Sequence, residues 1–500
     1  MGKRKIVFFI GLIIFSFLTT VFSQNLTEFE KKVTEFTLRN GMKFIIVEKH
    51  EAPVISFITY ANVGAVNEVR GITGIAHIFE HMAFKGTKTI GTRNYEEEKK
   101  ILDKMDELFI KIKREKMKKP NDPKKIKALQ EEFEKLREKA KSYVISNEFG
   151  KIVEENGGIG LNAFTSADGT GYVYNLPSNK LELWMSLESD RFLNPVLREF
   201  YKEKEVVMEE RRMRVESQPI GKLMEEFLAI AYKAHPYGDN VVGHMSDLET
   251  ITRQEALAFF KKYYIPSNLT VCMVGDVNPE EVKRLAKIYF ERIPSGPKPE
   301  PVETVEPPQW GERRVEVEDP SQPILLIGYH KPDINHPDNA VYDVLMDILG
   351  LGRTSRLYKS LVKEKKIAVQ VGAFPGFPGN KYPNLFVLYA VPSIGHTNEE
   401  CEKAIYEEIE KLKKEKVSEE ELEKAKIRAR ANLVRQLGSN FGLAYQLAYY
   451  EALTGDWRNL FRSIDAIKKV TAEDIIRVAK KCFIKRNRVV AQIVTTSSEK

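Results

Sequence analysis

Thr73-Gly-Ile-Ala-His77-Ile-Phe-Glu80-His81-Met-Ala-Phe84 sets two imidazoles four residues apart, with a carboxylate one position before the second. On a helix, positions i and i+4 lie one above the other, so His77 and His81 can converge on one metal ion. Glu80, at i+3, projects beside them and can reach a water on that ion. The flanking residues are small or apolar, as a buried helix requires. The chain has only 8 histidines in 500 residues, which makes this spacing a specific signal. Two core histidines beside a surface glutamate would nevertheless give the same string, so the reading turns on a further ligand. A catalytic zinc usually takes three protein ligands and keeps the fourth position for water.

The downstream candidate is Glu199-Phe-Tyr-Lys-Glu203-Lys-Glu-Val206-Val207-Met-Glu209-Glu210-Arg-Arg-Met213-Arg-Val215. Apolar residues interrupt the charges and no Pro or Gly intervenes before Pro219, so the stretch reads as a helix. Glu203 and Glu210 are seven apart and share a face. Glu210 can bind the ion while Glu203, one layer back, accepts a hydrogen bond from a ligating imidazole. The helix is rich in carboxylates, and spacing alone leaves both Glu209 and Glu210 open as the ligand. Gly158-Ile-Gly-Leu-Asn162-Ala163-Phe164-Thr165-Ser166 has strand character, with glycines that allow close approach of another backbone.

Three separated blocks now stand in order: His77, Glu80 and His81 as H-x-x-E-H; Gly157, Gly158, Asn162, Ala163, Thr165, Ser166, Asp168 and Thr170; and Glu203 through Glu210 as E-x-x-V-[VI]-x-x-E. Together they resemble the insulinase/pitrilysin family of zinc peptidases, the H-x-x-E-H inverzincins that include mitochondrial processing peptidase. The similarity runs from about residue 33 to near the C-terminus. It implies an α+β fold of two homologous α/β rolls, each an antiparallel-rich sheet covered by helices. It implies Zn2+ held by His77, His81 and Glu210, with Glu203 behind an imidazole and Glu80 as the base acting on zinc-bound water. The implied activity is endopeptidase cleavage of extended or unfolded peptides; the alternative is a non-catalytic scaffold of the same fold. The strand with Asn162, Ala163, Phe164 and Thr165 resembles the family's substrate-binding edge, and His235-Pro-Tyr237-Gly238 resembles its cleft loop. Relatives grip the peptide with an Arg/Tyr pair in a later domain. Residues 383–396 offer Tyr389 and no Arg, so a partner is expected: a homologous non-catalytic subunit, or a second copy of this chain.

The sequence departs from the family in one place. His81 and Glu210 are 129 positions apart, farther than in relatives, and the surplus falls at about residues 99–148. Leu102, Met105, Leu108, Phe109 and Ile112 recur at helical spacing, Pro120-Asn-Asp-Pro123 breaks the chain, and Ile126, Leu129, Phe133 and Leu136 resume the period. This predicts an antiparallel helical hairpin with a narrow apolar seam. Its lysines alternate with glutamates, which points to a solvated face and not to nucleic acid or membrane.

Residues 1–23 read as a secretory signal: Lys3-Arg4-Lys5, an apolar run from Ile6 to Val21, and Val21-Phe-Ser23 before the cleavage point. An uncleaved membrane anchor is the alternative; no other segment is apolar enough to span. The mature protein is expected to be exported, periplasmic or secreted. Losing Lys3, Arg4 and Lys5 takes the formal charge from +7 to +4, so no basic-partner argument stands. Three scattered cysteines (Cys272, Cys401 and Cys482) offer no disulfide framework. A metal-binding domain is expected over 24–298, a Pro-rich linker over 299–311 and a degenerate copy without metal over 312–500. Phe36-Thr-Leu38 and Phe44-Ile-Ile46 flank Asn40-Gly41, a two-residue hairpin signal. Val54–Ala61 then a helix, and Ile324–Gly328 then the helix Asn339–Leu349, show the same strand–helix order in both halves.

Overall fold

The computed structural model describes residues 25–496, so the expected leader lies outside the described residues. Six strands form the first sheet: β1 (Val33–Thr37), β2 (Lys43–Glu48), β3 (Val54–Ala61), β4 (Ile159–Thr165), β5 (Thr170–Pro177) and β6 (Leu269–Gly275). Their order is β1-β2-β6-β3-β5-β4, parallel at β2–β6 and antiparallel elsewhere. Helices cover both faces, which is why Phe44-Ile-Ile-Val47 is apolar without alternation. Phe44 and Ile46 join Phe57 and Trp184 on one face, while Ile45 and Val47 join Ile58 and Cys272 on the other. The β1–β2 connection differs from the expected two-residue turn. Leu38 and Met42 still pair (N–O 2.9 Å), leaving a three-residue loop with Gly41 at φ +95°. The Asn40 amide donates instead to the carbonyls of Phe290 and Ile293 (2.7 and 3.1 Å), and this tertiary bond selects the longer loop. The motif helix α1 (Ile75–Met82) packs beside the edge strand β4.

The insertion forms an antiparallel pair, α2 (Tyr95–Met117) and α3 (Pro123–Lys141), capped by Asn94 and Asp122. Its apolar seam is shared with a third helix, α4 (Phe200–Arg211), whose Tyr201 ring lies 4.7 Å from Phe109 and 5.1 Å from Phe133. Asp106 accepts from the Tyr201 hydroxyl (2.9 Å) and from Arg253. At the base, Arg198 donates to both Glu98 oxygens (2.6 and 2.9 Å) and to the carbonyls of Lys85, Thr87 and Ile90. Both side chains are buried (1% and 0% exposed). Removing one partner of a buried pair strands the other charge, so Arg198→Ala should lose about 3–5 kcal/mol in denaturant unfolding. A loss below about 1 kcal/mol would be that of an exposed pair and would contradict this packing.

The second sheet contains β7 (Arg313–Asp319), β8 (Leu325–Lys331), β9 (Ala368–Phe377), β10 (Asn384–Pro392) and β11 (Arg488–Thr495), in the order β7-β11-β8-β10-β9. Its parallel pair is β7–β11, so it repeats β2-β6-β3-β5-β4 strand for strand. Two helices cross between the halves. α5 (Pro219–Ala231) packs on β7 and β11 of the second sheet, with the Phe227 ring against Gly328. α6 (Asn339–Gly350) lies on the edge strand β9, as α1 lies on β4, and carries no histidine. α7 (Asn440–Thr454) packs on β3 and β6 of the first sheet.

Residues 299–311 have no regular secondary structure, and the segment is pinned. Glu306 accepts from the amides of Lys233, Ala234 and His235 (2.8–3.1 Å), and Val302 N donates to the Tyr382 hydroxyl (3.1 Å). Among the described residues no helix is long and apolar enough to cross a membrane.

Candidate metal centre

α1 begins sharply because its first amides are claimed by a buried carboxylate. Glu68 accepts from Gly74 N (2.7 Å) and Ala76 N (2.8 Å), satisfying amides that the helix start leaves unpaired, while burial pushes its pKa up to about 8. Ile75, Ala76, Ile78 and Phe79 face the core, the Phe79 ring lying 5.1–6.0 Å from Phe259, Phe260 and Tyr264. That leaves His77, Glu80 and His81 turned toward α4.

The ligand atoms of His77, His81 and Glu210 lie within 4.8 Å of one another, the one such group among the described residues. His77 Nε2 is 3.6 Å from one Glu210 oxygen and His81 Nε2 is 3.2 Å from the other. Bonds of about 2.0–2.2 Å to a tetrahedral ion place neighbouring ligand atoms roughly 3.3–3.6 Å apart, so the three residues fit a zinc-sized ion. Glu209 is 61% exposed and pairs with Arg212 (2.9 Å), whereas Glu210 is 14% exposed and faces the imidazoles. Of the two glutamates that spacing left open, Glu210 is the one that faces His77 and His81. After Glu210 the backbone widens into a π-helical turn over Arg212–Glu216, and Arg214 comes back to the Glu210 carboxylate (2.5 Å). Nothing in the residue pattern signals that turn.

The electrostatics divide the two histidines. Burial lowers the pKa of His77 to about 4, which keeps its imidazole neutral, the form that offers a lone pair to a metal. His81 is raised, chiefly by the Glu203 carboxylate 3.7 Å from its Nδ1. Burial pushes Glu203 up, but His81 and Lys85, whose Nζ is 2.6 Å away, outweigh it and hold the acid below its ordinary value. Glu80 sits 3.9 Å from His77 Nε2; burial raises its pKa, against the Thr165 hydroxyl and the His81 imidazole. The buried Nδ1 of His77 has no hydrogen-bond partner.

β4 carries the other expected positions on the free edge of the sheet, beside α1. Ala163 joins the core cluster of the α1 face, and Thr165 lies on that same face. Asn162 is exposed. Phe164 turns to the opposite face, 5.5 Å from Tyr445 of α7, because side chains alternate along a strand. His235 and Tyr237 lie in the seam between the halves, 5% and 1% exposed. Their rings pack against Tyr382 of the second half, and the Tyr237 hydroxyl donates to Asp168. Sequence reasoning assigned no role to Glu68 or Asp168. Neither was readable from spacing: Glu68 reaches the helix start only through the fold of the loop before Gly74, and Asp168 needed the contact with the second half.

An insulinase (peptidase family M16) model matches residues 43–118 and 120–244, and a peptidase M16 inactive-domain model matches residues 250–428. The chain is 30% identical over 454 residues to zinc protease PqqE of Helicobacter pylori, covering 89% of each sequence. It is 23% identical over 464 residues to the probable mitochondrial-processing peptidase subunit beta of Schizosaccharomyces pombe, spanning 89% of this chain and 87% of that one. The crystal structure of a protease from Helicobacter pylori superposes with a TM-score of 0.77 at 28% identity, over 92% of this chain and 99% of the other. Similarity of this extent runs through both sheets and is not confined to the histidine helix: the chain belongs to the insulinase family of peptidases, M16.

Proposed function

We propose that the protein is a zinc-dependent endopeptidase acting on extended or unfolded peptides. The observation that carries this reading is the convergence of His77, His81 and Glu210 within 4.8 Å, with Glu80 at their side. Zinc, when bound by those three residues, supplies Lewis acidity that polarises a carbonyl and makes water a better nucleophile near neutral pH. Glu203, steadied by Lys85, lies 3.7 Å from His81 Nδ1 and favours the proton there, which leaves Nε2 free to bind the ion. Glu80 takes a proton from the attacking water and returns it to the departing amine. The free edge of β4 accepts the peptide as an added strand. Main-chain bonds then provide affinity with little sequence preference, and Asn162 and Ala163 set the position of the peptide.

The lone Tyr389, without an arginine on its segment, supports a subunit that works with a homologous non-catalytic partner or a second copy. One relative is itself named a subunit. The basic and apolar N-terminal stretch supports export to the periplasm or beyond. The two sheets, whose strands run from Val33 to Gly275 and from Arg313 to Thr495, support a division into 24–298, 299–311 and 312–500, with α5 and α7 packing across it.

Metal analysis and cleavage of an unstructured peptide by the mature protein test the assignment, assayed alone and with a homologous subunit. About one zinc per chain is expected, with chelation abolishing cleavage and zinc restoring it. Cleavage that survives complete removal of metal would end the proposal.

A further inference from the structure

We infer that Asp168 is a positioning residue through which the half without metal ligands holds the peptide-accepting edge of the other half; the inference rests on the endopeptidase reading above. Asp168 sits in the β4–β5 turn and is 3% exposed. It accepts from three groups: the Tyr237 hydroxyl, Asn380 N (2.6 Å) and Lys381 N (3.1 Å). The last two belong to the β9–β10 loop of the second half. That loop approaches so closely that a Cβ on Gly379 would lie 2.5 Å from both Asp168 Oδ2 and the Tyr237 hydroxyl. The Asn380 side chain continues the contact to the Tyr449 hydroxyl on α7 (2.8 Å), and Lys381 Nζ reaches Asn62 at the end of β3 (2.7 Å).

The same turn is joined to the metal helix. Ala65 N and Val66 N donate to the carbonyls of Ser166 (3.2 Å) and Ala167 (3.0 Å). Two residues on, Glu68 holds the first amides of α1. A Cβ on Gly64 would sit 2.4 Å from the Ser166 carbonyl, so that junction admits no side chain. Asp168 therefore lies where three things meet: the end of the edge strand, the segment leading into the helix of His77, Glu80 and His81, and a loop of the second sheet. Five hydrogen-bond donors from distant parts of the chain are spent on one turn that touches no expected metal ligand. Freed from the loop, the turn and the end of β4 lose their outer support, while α1 keeps its own cap on Glu68 and α4 keeps its packing against the hairpin. The expected defect is in holding the peptide, with the metal retained.

Steady-state cleavage of a quenched fluorogenic unstructured peptide, zinc content, and amide hydrogen exchange along β4 test this on wild type, Asp168→Ala, Asp168→Asn and Tyr237→Phe. A small misplacement of a binding edge is costly, so Asp168→Ala should raise KM about tenfold while kcat and zinc content stay within about twofold. Amides of β4 should exchange faster and those of β6 should not. Asp168→Asn can accept from the loop amides and donate to the tyrosine oxygen, and should restore KM to near wild type. Tyr237→Phe keeps the ring packing, should shift KM in the same direction by a smaller factor, and carries the test if Asp168→Ala does not fold. An unchanged KM with unchanged β4 exchange, or zinc lost in step with activity, overturns the inference. If the wild type cleaves nothing, the endopeptidase reading fails while the exchange measurement still decides whether Asp168 holds the edge.

Discussion

Glu80→Gln should retain about one zinc per chain and lose turnover by roughly a hundred- to ten-thousandfold, the range that a positioned acid–base group contributes. The amide has the shape of the acid and leaves the helix, its Glu68 cap and the convergence of His77, His81 and Glu210 untouched. What it cannot do is accept the proton of an attacking water and pass it to the leaving amine. Glu80 lies 3.9 Å from His77 Nε2 and is not one of the three clustered residues, so the ion does not depend on it. Metal analysis paired with steady-state rates checks both halves of the expectation. A variant that cleaves at the wild-type rate removes Glu80 from the role of base, and one that loses zinc makes it a ligand instead.

Glu210→Ala should lose the ion outright, and Glu209→Ala should keep it. Loss of an outer partner to a ligand typically weakens metal binding by about 10–100-fold, and deleting one of three direct ligands should exceed that. The two glutamates are neighbours in sequence but differ in direction: Glu210 meets both imidazoles at 3.2 and 3.6 Å, whereas Glu209 reaches out to Arg212. A ligand that binds the folded state alone raises its stability. Chelation should therefore lower the melting temperature of wild type and Glu209→Ala but leave Glu210→Ala unchanged. Equal zinc content in the two variants would mean that the carboxylate facing the histidines is not the third ligand.

The residues differ in how far they could be read before any coordinates. His77, Glu80 and His81 share a face through helical periodicity, a local property that needs no tertiary information. The repeated strand–helix order of the two halves and the hairpin around Pro120–Pro123 were legible for the same reason: each depends on neighbours within a few residues. Phe164 shows where such reasoning stops. Its strand was visible, but the face it turns to depends on which helix covers each side of the sheet, and one of those helices comes from more than 250 residues away. His235 and Tyr237 belong with Phe164, since a turn-forming string gives no hint of the surface it will be pressed against.

From the residues alone came the helix of His77, Glu80 and His81, the helical hairpin, several strands, the duplication of the two halves and the chemical identity of the groups around the proposed ion. The folded chain decided the rest: that Glu210 and not Glu209 turns inward, that α5 and α7 each cover the other half's sheet, and that Asp168 and Tyr237 close the seam. Periodicity says which side of an element is apolar, but the partner that buries it is selected by shape and by hydrogen bonds formed across hundreds of residues.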